Sequence, residues 1–485
     1  MSHYKLSAPR LNNNVRISLA SNKSVLQPPE SCDTISKGYR CQPEISRLWA
    51  QYSPYFKVPS EISSNVPIGC EVTFVQVLSR HGGRDPTSGK SILYAETIDK
   101  IRTHVQDFDE DFKFLENYTY TLGADQLTAF GEQQMVMSGI DFFDRYKHLA
   151  VTSVPFIRAS DQQRVVESAQ RFGQGFHQAR LGAKHSKDVE YAYDMVLISE
   201  ESGSNNTLDH GLCTVFEASN SSSVAQSTFA STFIPAIRAR LNDGLSGANL
   251  TAQDTIFLMD LCPFETVASS LGKPSDFCAL FTHDEWKQYD YFQTLGKYYG
   301  YGPGSPLGPT QGVGFANELI ARLTAQAVID HTSSNTTLDS DPATFPLNRS
   351  LYADFGHDND MTAFFAALGL YNSTPPLSTS KLMTIEEMRG YSAAWTVPFA
   401  ARTFIEKMRC GGVEEEMVRV IVNGRVLPLE TCGGDTFGRC TLGRFIDSLS
   451  FAREGGHWDQ CFAGEEGLVS IDGQPLNVNE DIATS

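Results

Sequence analysis

A chain of 485 residues, 41% hydrophobic and 20% charged, is long enough to bury a large core and to form two domains, or one domain with a large insertion. No stretch approaches the roughly 18 consecutive apolar residues of a membrane span, and the start, MSHYKLSAPRLNNN, lacks the basic-then-apolar pattern of a signal peptide. A formal net charge of -18 argues against nucleic acid as a partner, and it would repel an anionic small molecule too, unless a local cationic pocket overrides the global field or the protein works at acid pH.

In chain order, residues 1–31 are polar, with Asn and Ser clusters and no sustained periodicity, so a flexible arm is expected there and the fold is expected to start near Cys32. The apolar run Val72 to Leu78 predicts a strand, followed at once by the charged turn Ser79-Arg80-His81-Gly82-Gly83-Arg84. Val154 to Ile157 predicts a second strand, after which Val165, Val166, Ala169, Phe172, Phe176 and Ala179 recur at helical spacing. Between 200 and 345 the text changes to helical stretches such as STFIPAIRARLNDGL and GFANELIARLTAQAVI, separated by Ser, Asn and Gly loops. Leu351 to Phe355 predicts a third strand; Met361, Phe364, Phe365 and Leu368 then repeat the helical pattern, with Gly369 as its stop. The tail from Phe462 to Ser485 has no Lys or Arg and little apolar pattern, and disorder is expected. The expected layout is therefore an arm at 1–31, an α/β unit from 32–199 and 346–461, a mainly α-helical insertion at 200–345, and a tail at 462–485. Open parallel sheets bind ligands beyond the carboxyl ends of their strands, and the unusual residues fall there.

Ten cysteines, none in a CxxC pair, favour structural disulfides over zinc ribbons or redox dithiols. Asn-x-Ser/Thr sequons at Asn22, Asn117, Asn205, Asn220, Asn249, Asn335, Asn348 and Asn372 lie in polar stretches that suit surface loops. Together they predict a secreted, glycosylated protein.

The first charged turn carries the chemistry. A phosphate monoester bears nearly two negative charges, and fork-shaped guanidinium groups such as those of Arg80 and Arg84 bind its oxygens bidentately. His81 lies between them, and flanking positive charge disfavours its protonated form, which keeps a ring nitrogen free as a nucleophile in mildly acid solution. Gly82 and Gly83 are expected to let backbone amides approach the anion. The alternative is a solvated basic turn, but Arg-His-Gly-x-Arg-x-Pro fixes five positions, with a chance occurrence on the order of one in ten thousand. A departing alkoxide needs a proton, and Phe355-Gly-His-Asp-Asn-Asp360 offers His357 as a phosphate contact and Asp358 as general acid. By itself His-Asp more often marks a satisfied surface pair. Arg164 could supply a third fork, although a lone helical Arg is usually a surface charge. The conjunction of all three after three predicted strands carries the inference.

Through RHGGRDPT, WAQYSPYF, TLGADQLTAFGEQQM, NNTLDHGLC, LGKYYGYG, GFANELIARLT and DFGHDND, the chain from Cys32 to Cys461 resembles the histidine acid phosphatase superfamily, and within it the fungal secreted phytases. The resemblance implies an α/β sandwich domain of histidine phosphatase type with an inserted smaller α-helical domain. It implies His81 as the phosphohistidine, Asp358 as proton donor, and Arg80, Arg84, Arg164 and His357 as phosphate clamp. Gln51, Tyr52, Thr87 and Lys297 match positions that line the family's inositol phosphate pocket. It also implies five disulfides: Cys32–Cys41, Cys70–Cys410, Cys213–Cys461, Cys262–Cys278 and Cys432–Cys440. A monomer acting on small phosphate monoesters, with no cofactor and no metal, is the expected form.

The chain departs from the strongly phytate-selective pattern in three places. After the motif proline it reads TSGKSILYAETIDK, with Lys90 and Lys100 alone where several lysines are common; HDEWKQYDY keeps Lys287 where a pair is common; and Asp85 stands where an aromatic is usual. These thin the positive charge and imply appreciable activity on other monoesters. Two other readings compete: a phosphoglycerate mutase-like phosphotransferase, which the cysteines and sequons disfavour, and a catalytically dead phosphate-binding module, which the intact His81 and Asp358 disfavour. GYGPGSPLGPTQGVGF lacks the Gly-Lys-Ser/Thr ending of a nucleotide loop and reads as turns.

Overall fold

The computed structural model describes residues 3–5, 33–34, 38–39, 43–184, 193–269 and 274–462. Most of the 1–31 arm, both cysteines of the implied Cys32–Cys41 pair and the tail after Phe462 lie outside the described residues.

Among the described residues the main sheet has nine strands: β1 (His3–Lys5), β2 (Cys70–Arg80), β3 (Phe156–Ser160), β4 (Asp194–Ile198), β5 (Leu351–Gly356), β6 (Arg402–Cys410), β7 (Met417–Val422), β8 (Arg425–Leu427) and β9 (Arg439–Thr441). Their spatial order is β1-β4-β3-β5-β2-β6-β7-β8, with β9 pairing β7. Strands β4, β3, β5 and β2 run parallel, and β6 to β9 and β1 add antiparallel flanks. The register aligns Arg80 with Gly356 and Ala159 with Phe355, so β2, β3 and β5 end along one edge. Strand β3 starts two residues later than the sequence predicted, because Pro155 has no N–H to give to a ladder.

The pleat sorts side chains onto two buried faces. Val75, Val77, Leu351, Ala353 and Phe355 pack with Met135, Phe142, Phe172 and Phe176 from α2 (Ala129–Arg145) and α3 (Gln163–Lys184). Phe74, Leu78 and Tyr352 pack on the other face with Val313, Phe315, Leu319, Met361 and Phe364 from α7 (Val313–Thr324) and α8 (Asp358–Ala367). The layers are therefore helix, sheet, helix. A separate apolar cluster joins α1 (Ser88–His104), α4 (Ser221–Gly244), α5 (Ala252–Ala268) and α6 (His283–Gly300), through residues such as Ile98, Phe233, Leu261 and Leu295. Gly369 ends the α8 segment at φ +69, the left-handed conformation a helix stop uses. Among the described residues four disulfides are formed: Cys70–Cys410, Cys213–Cys461, Cys262–Cys278 and Cys432–Cys440. Among the described residues no helix is long and apolar enough to cross a membrane.

The polar positions of the central strands are filled by an ionic cross-link. On β3, Arg158 pairs with Asp354 of β5 at 2.6 Å and with Glu318 of α7 at 2.5 Å. From α7, Arg322 reaches Asp354 at 2.5 Å, while Gln76 of β2 donates to the same carboxylate at 3.0 Å. Three strands and a helix are thereby fastened directly beneath the edge where the strands end.

A second buried carboxyl couples the helices to that edge. Asp290 of α6 accepts from Ala50 N at 3.1 Å and from Ser392 Oγ at 3.3 Å. Burial pushes its pKa up to about 7, against the pull of those two hydrogen bonds. A folded pKa above the unfolded value of about 3.9 stabilises the fold fully below that value, and the contribution is lost as pH rises through about 7. The fall in melting temperature from pH 5 to pH 8 is therefore expected to be smaller in Asp290→Asn than in the parent; equal falls in thermal melts would contradict this.

Candidate active site

The site is assembled where β2, β3 and β5 end. The last residue of β2 is Arg80, fully buried, and its Nη1 donates to the carbonyls of Gln51 and, at 2.8 Å, Val397. Its guanidinium lies over the Phe399 ring at 4.7 Å. His81 follows, 1% exposed, with its backbone N donating to Gly356 O at 3.3 Å. Its Nδ1 lies 2.8 Å from Gly82 O. A carbonyl can only accept, so Nδ1 carries the hydrogen; burial, then Arg80, Arg164, Arg84 and His357, hold the ring pKa well below its ordinary value. The neutral ring therefore keeps a bare lone pair on Nε2.

Arg84, 8% exposed, pairs through its backbone with Leu127 and lies over the Phe264 ring at 5.8 Å. Arg164, in the first turn of α3 and 8% exposed, reaches Asp125 at 3.3 Å. Burial and the neighbouring Arg84 bring its pKa down to about 10, and burial brings that of Arg80 to about 10 as well. Depressed guanidinium values mark positive charge held close together with little solvent.

His357 is the N-cap of α8, and Asp358 is its first residue. The two rings His81 and His357 meet edge to face at 5.7 Å. Asp358 Oδ2 is 2.5 Å from Lys297 Nζ of α6 and 3.4 Å from Arg80 Nη2. Burial alone would raise the Asp358 pKa, but Arg80 and Lys297 outweigh it and hold the carboxyl well below its usual range. A helix N-terminus favours the anion further.

Gln51 and Tyr52 come from the short turn Ala50–Tyr52. Gln51 donates to Gln293 at 2.9 Å, and its carbonyl receives Arg80. Tyr52 packs on Phe264 at 4.7 Å and on Phe399 at 6.1 Å, and burial followed by the charge of Asp260 raises its hydroxyl to about 12. Arg80, His81, Arg84, Arg164, His357, Asp358, Gln51, Tyr52 and Lys297 thus converge on one place. Thr87 is the N-cap of α1, three residues beyond Arg84, and makes no side-chain cap bond.

The glycines differ from expectation. Gly82 N donates to Ser168 Oγ at 3.1 Å and Gly83 N to Gln134 Oε1 at 2.9 Å, so these amides are already occupied. Their lack of a side chain serves close approach instead. A Cβ on Gly82 would stand 2.8 Å from the Gly131 carbonyl carbon, and one on Gly131 would stand 2.7 Å from that of Gly83. The turn is pressed against the start of α2, which fixes where Arg84 points.

Sequence reasoning missed Ser168, Gln134, Asp125 and Glu200. The last accepts from His357 Nε2 at 2.8 Å. Each comes from a different element and carries no local motif, apart from helical spacing at Arg164 and Ser168. Glu200, Asp209 and His357 bring one possible ligand atom apiece within 4.8 Å of one another, the group among the described residues that could hold a metal ion. The Glu200–His357 hydrogen bond joins two of the three.

Comparison with known proteins places the chain. Residues 71–423 match the model of the Histidine phosphatase superfamily (branch 2), and the chain belongs to that family. It is 53% identical over 439 residues to Phytase A of Aspergillus oryzae, covering 90% of this chain and 94% of that protein. It is 52% identical over 438 residues to Phytase A of Aspergillus fumigatus, again covering 90% and 94%. The crystal structure of the phytase from D. castellii shares the fold, with a TM-score of 0.68 at 23% identity over 87% of this chain and 86% of that one. The protein is a histidine phosphatase enzyme.

Gly131→Ala is expected to lower both melting temperature and turnover of an aryl phosphate, since backbone must move to admit the methyl group. Gly89→Ala, in α1, is the control: a Cβ there would have nothing within 4 Å, and both properties are expected to stay intact. Equal behaviour of the two variants would contradict the packing role of Gly131.

Proposed function

We propose that this enzyme hydrolyses phytate, myo-inositol hexakisphosphate, to lower inositol phosphates and phosphate through a phosphohistidine intermediate. The observation that carries the reading is a neutral, buried His81 held among Arg80, Arg84 and Arg164, beside the carboxyl of Asp358. The Nε2 lone pair of His81 attacks phosphorus while the three guanidiniums and His357 bind the equatorial oxygens. The P–O bond to the inositol breaks, and Asp358 delivers its proton to the leaving oxygen. In the free protein Asp358 is ionised by Arg80 and Lys297. The incoming phosphate supplies negative charge to those same cations, which removes what holds the carboxyl ionised and allows it to take up the proton. In the second half, Asp358 accepts a proton from water, which attacks the phosphohistidine and releases phosphate.

Lys297, Gln51, Tyr52 and Thr87 are proposed to face the rest of the substrate. The thin lysine content supports a second reading, a broad acid phosphatase. Lys100 is engaged by Asp254 at 2.8 Å and exposed Lys287 by Asp284 at 2.9 Å, while Lys90 sits over the Phe257 ring at 4.7 Å. Lys297 remains as the lysine beside the reacting groups.

We also propose a secreted, glycosylated monomer that binds no nucleic acid. Support comes from the four disulfides among the described residues and from exposed sequon residues Asn117, Asn220, Asn249, Asn348 and Asn372. The division into 32–199 with 346–461 and an insertion at 200–345 is retained as a proposal. The α4–α6 cluster supports it, although that core also draws on α1.

The test is the rate of phosphate release from phytate relative to a simple aryl phosphate at pH about 5, in the range where a carboxylic general acid works. A ratio above one is expected. A ratio well below one, with both activities lost in His81→Ala, would make this a general acid phosphatase, and retention of either activity in His81→Ala would overturn the mechanism.

A further inference from the structure

The stretch NNTLDHGLC, residues 205–213, has no part in the mechanism above, yet it is built tightly over the end of β5. Asn206 Nδ2 donates to Ser160 Oγ at 2.8 Å, and its Oδ1 accepts from Leu208 N at 2.8 Å. Thr207 Oγ1 donates to Glu318 Oε2 at 2.9 Å, within the ionic cross-link. Leu208 O passes so close to Gly356 that a Cβ there would stand 2.9 Å from it. At the far end, Cys213 is bonded to Cys461. So anchored, the loop sets Asp209 with Glu200 and His357 in one group of polar atoms spanning no more than 4.8 Å.

His357 has a constraint that this group meets. Its Nε2 lies 2.8 Å from Glu200 Oε1, and a carboxylate only accepts, so Nε2–H is engaged by Glu200. To donate to a phosphate oxygen the ring must also carry hydrogen on Nδ1, and the imidazolium alone has both. A carboxylate accepting from Nε2 fixes the orientation of the ring, whereas two full negative charges so close to the guanidinium clamp would repel the substrate.

We propose that Glu200 and Asp209 are positioning residues for His357, Glu200 accepting from Nε2 and so fixing how the ring faces, and Asp209 closing the same group from the anchored loop. The proposal rests on the reading of the pocket as a phosphate site. Groups around the pair agree with it. Burial would raise Glu200, but the hydrogen bond and charge of His357, together with Ser160 and Arg164, bring it down. Burial, then the charges of Asp360 on α8 and of Glu200, push Asp209 up to about 8, with Glu217 adding and His210 opposing. His210 is itself paired with Glu217 at 2.7 Å and lies against the Tyr301 ring at 5.3 Å. As pH rises through about 8, Asp209 gains a charge beside the clamp, and anion binding falls.

The experiment uses the full-length enzyme and inorganic phosphate as competitive inhibitor of aryl phosphate hydrolysis, from pH 4.5 to 8.5. Glu200→Gln keeps the shape and removes the charge, and inhibition at pH 5 is expected to weaken by about tenfold. Added to His357→Ala, the same change is expected to cost nothing further, because Glu200 acts through that ring. Asp209→Asn fixes the neutral state. Its inhibition is expected to fall less steeply than the parent's between pH 7 and 8.5, a comparison in which the ionisation of phosphate itself cancels. Inhibition of Glu200→Gln equal to the parent's, an undiminished loss in the His357→Ala background, or parallel pH slopes for Asp209→Asn and parent would each overturn the proposal. A parent not inhibited by phosphate at all would overturn the phosphate-site reading beneath it. Should Glu200→Gln not fold, the slope measured with Asp209→Asn decides alone.

Discussion

The distances in the active site follow from one parallel ladder. Strand β2 runs beside β5 with Arg80 opposite Gly356, and the ladder closes with the backbone N of His81 donating to Gly356 O. His81, whose N–H makes that bond, is the proposed nucleophile, and the next two residues after β5 are His357, the N-cap of α8, and Asp358, its first residue. Because side chains alternate along a strand, a slip of one residue would put His81 on the wrong face and break every contact described. The ionic cross-link of Arg158, Asp354, Glu318 and Arg322 sits directly under this ladder and resists such a slip, since any shift would leave buried charges unpaired.

Electrostatics resolves the apparent conflict between an acidic protein and an anionic substrate. The net charge of -18 belongs to the whole chain, whereas Arg80, Arg84, Arg164 and Lys297 stand together at the sheet edge. Little solvent reaches them, so their field is weakly screened at short range and outweighs distant carboxylates. The same field favours the two protonation states that the proposed chemistry starts from, a neutral His81 and an ionised Asp358. Helices α5 and α6 complete the site from the other side, with Phe264 as a wall and Lys297 as a cation. The proposed catalytic and binding groups are therefore split between the sheet edge and the helical cluster beside it.

Much of this is legible in the sequence. Arg80, His81 and Arg84 lie within five residues, so local pattern suffices, and the rule that ligands gather at the carboxyl ends of parallel strands places Arg164 and His357–Asp358 beside them. The residues that stay hidden act through tertiary contact. Glu200, Asp125, Gln134 and Ser168 are ordinary polar residues until the fold brings them to His357, Arg164, Gly83 and Gly82. Arg158 and Asp354 read as parts of apolar strands because their flanks are apolar, and only the facing helix explains how two charges can sit inside a sheet. Gly82 reads as an anion-binding position, yet its amide is taken by Ser168, a distinction that depends on how closely α2 approaches.

The most direct test is to quench the enzyme during phytate turnover at pH about 5 and map the phosphorylated residue by mass spectrometry. A phosphoramidate on His81, labile to acid and stable to alkali and absent from His81→Ala, is expected. Turnover without a covalent phosphoenzyme, or phosphate carried on another residue, would contradict the account.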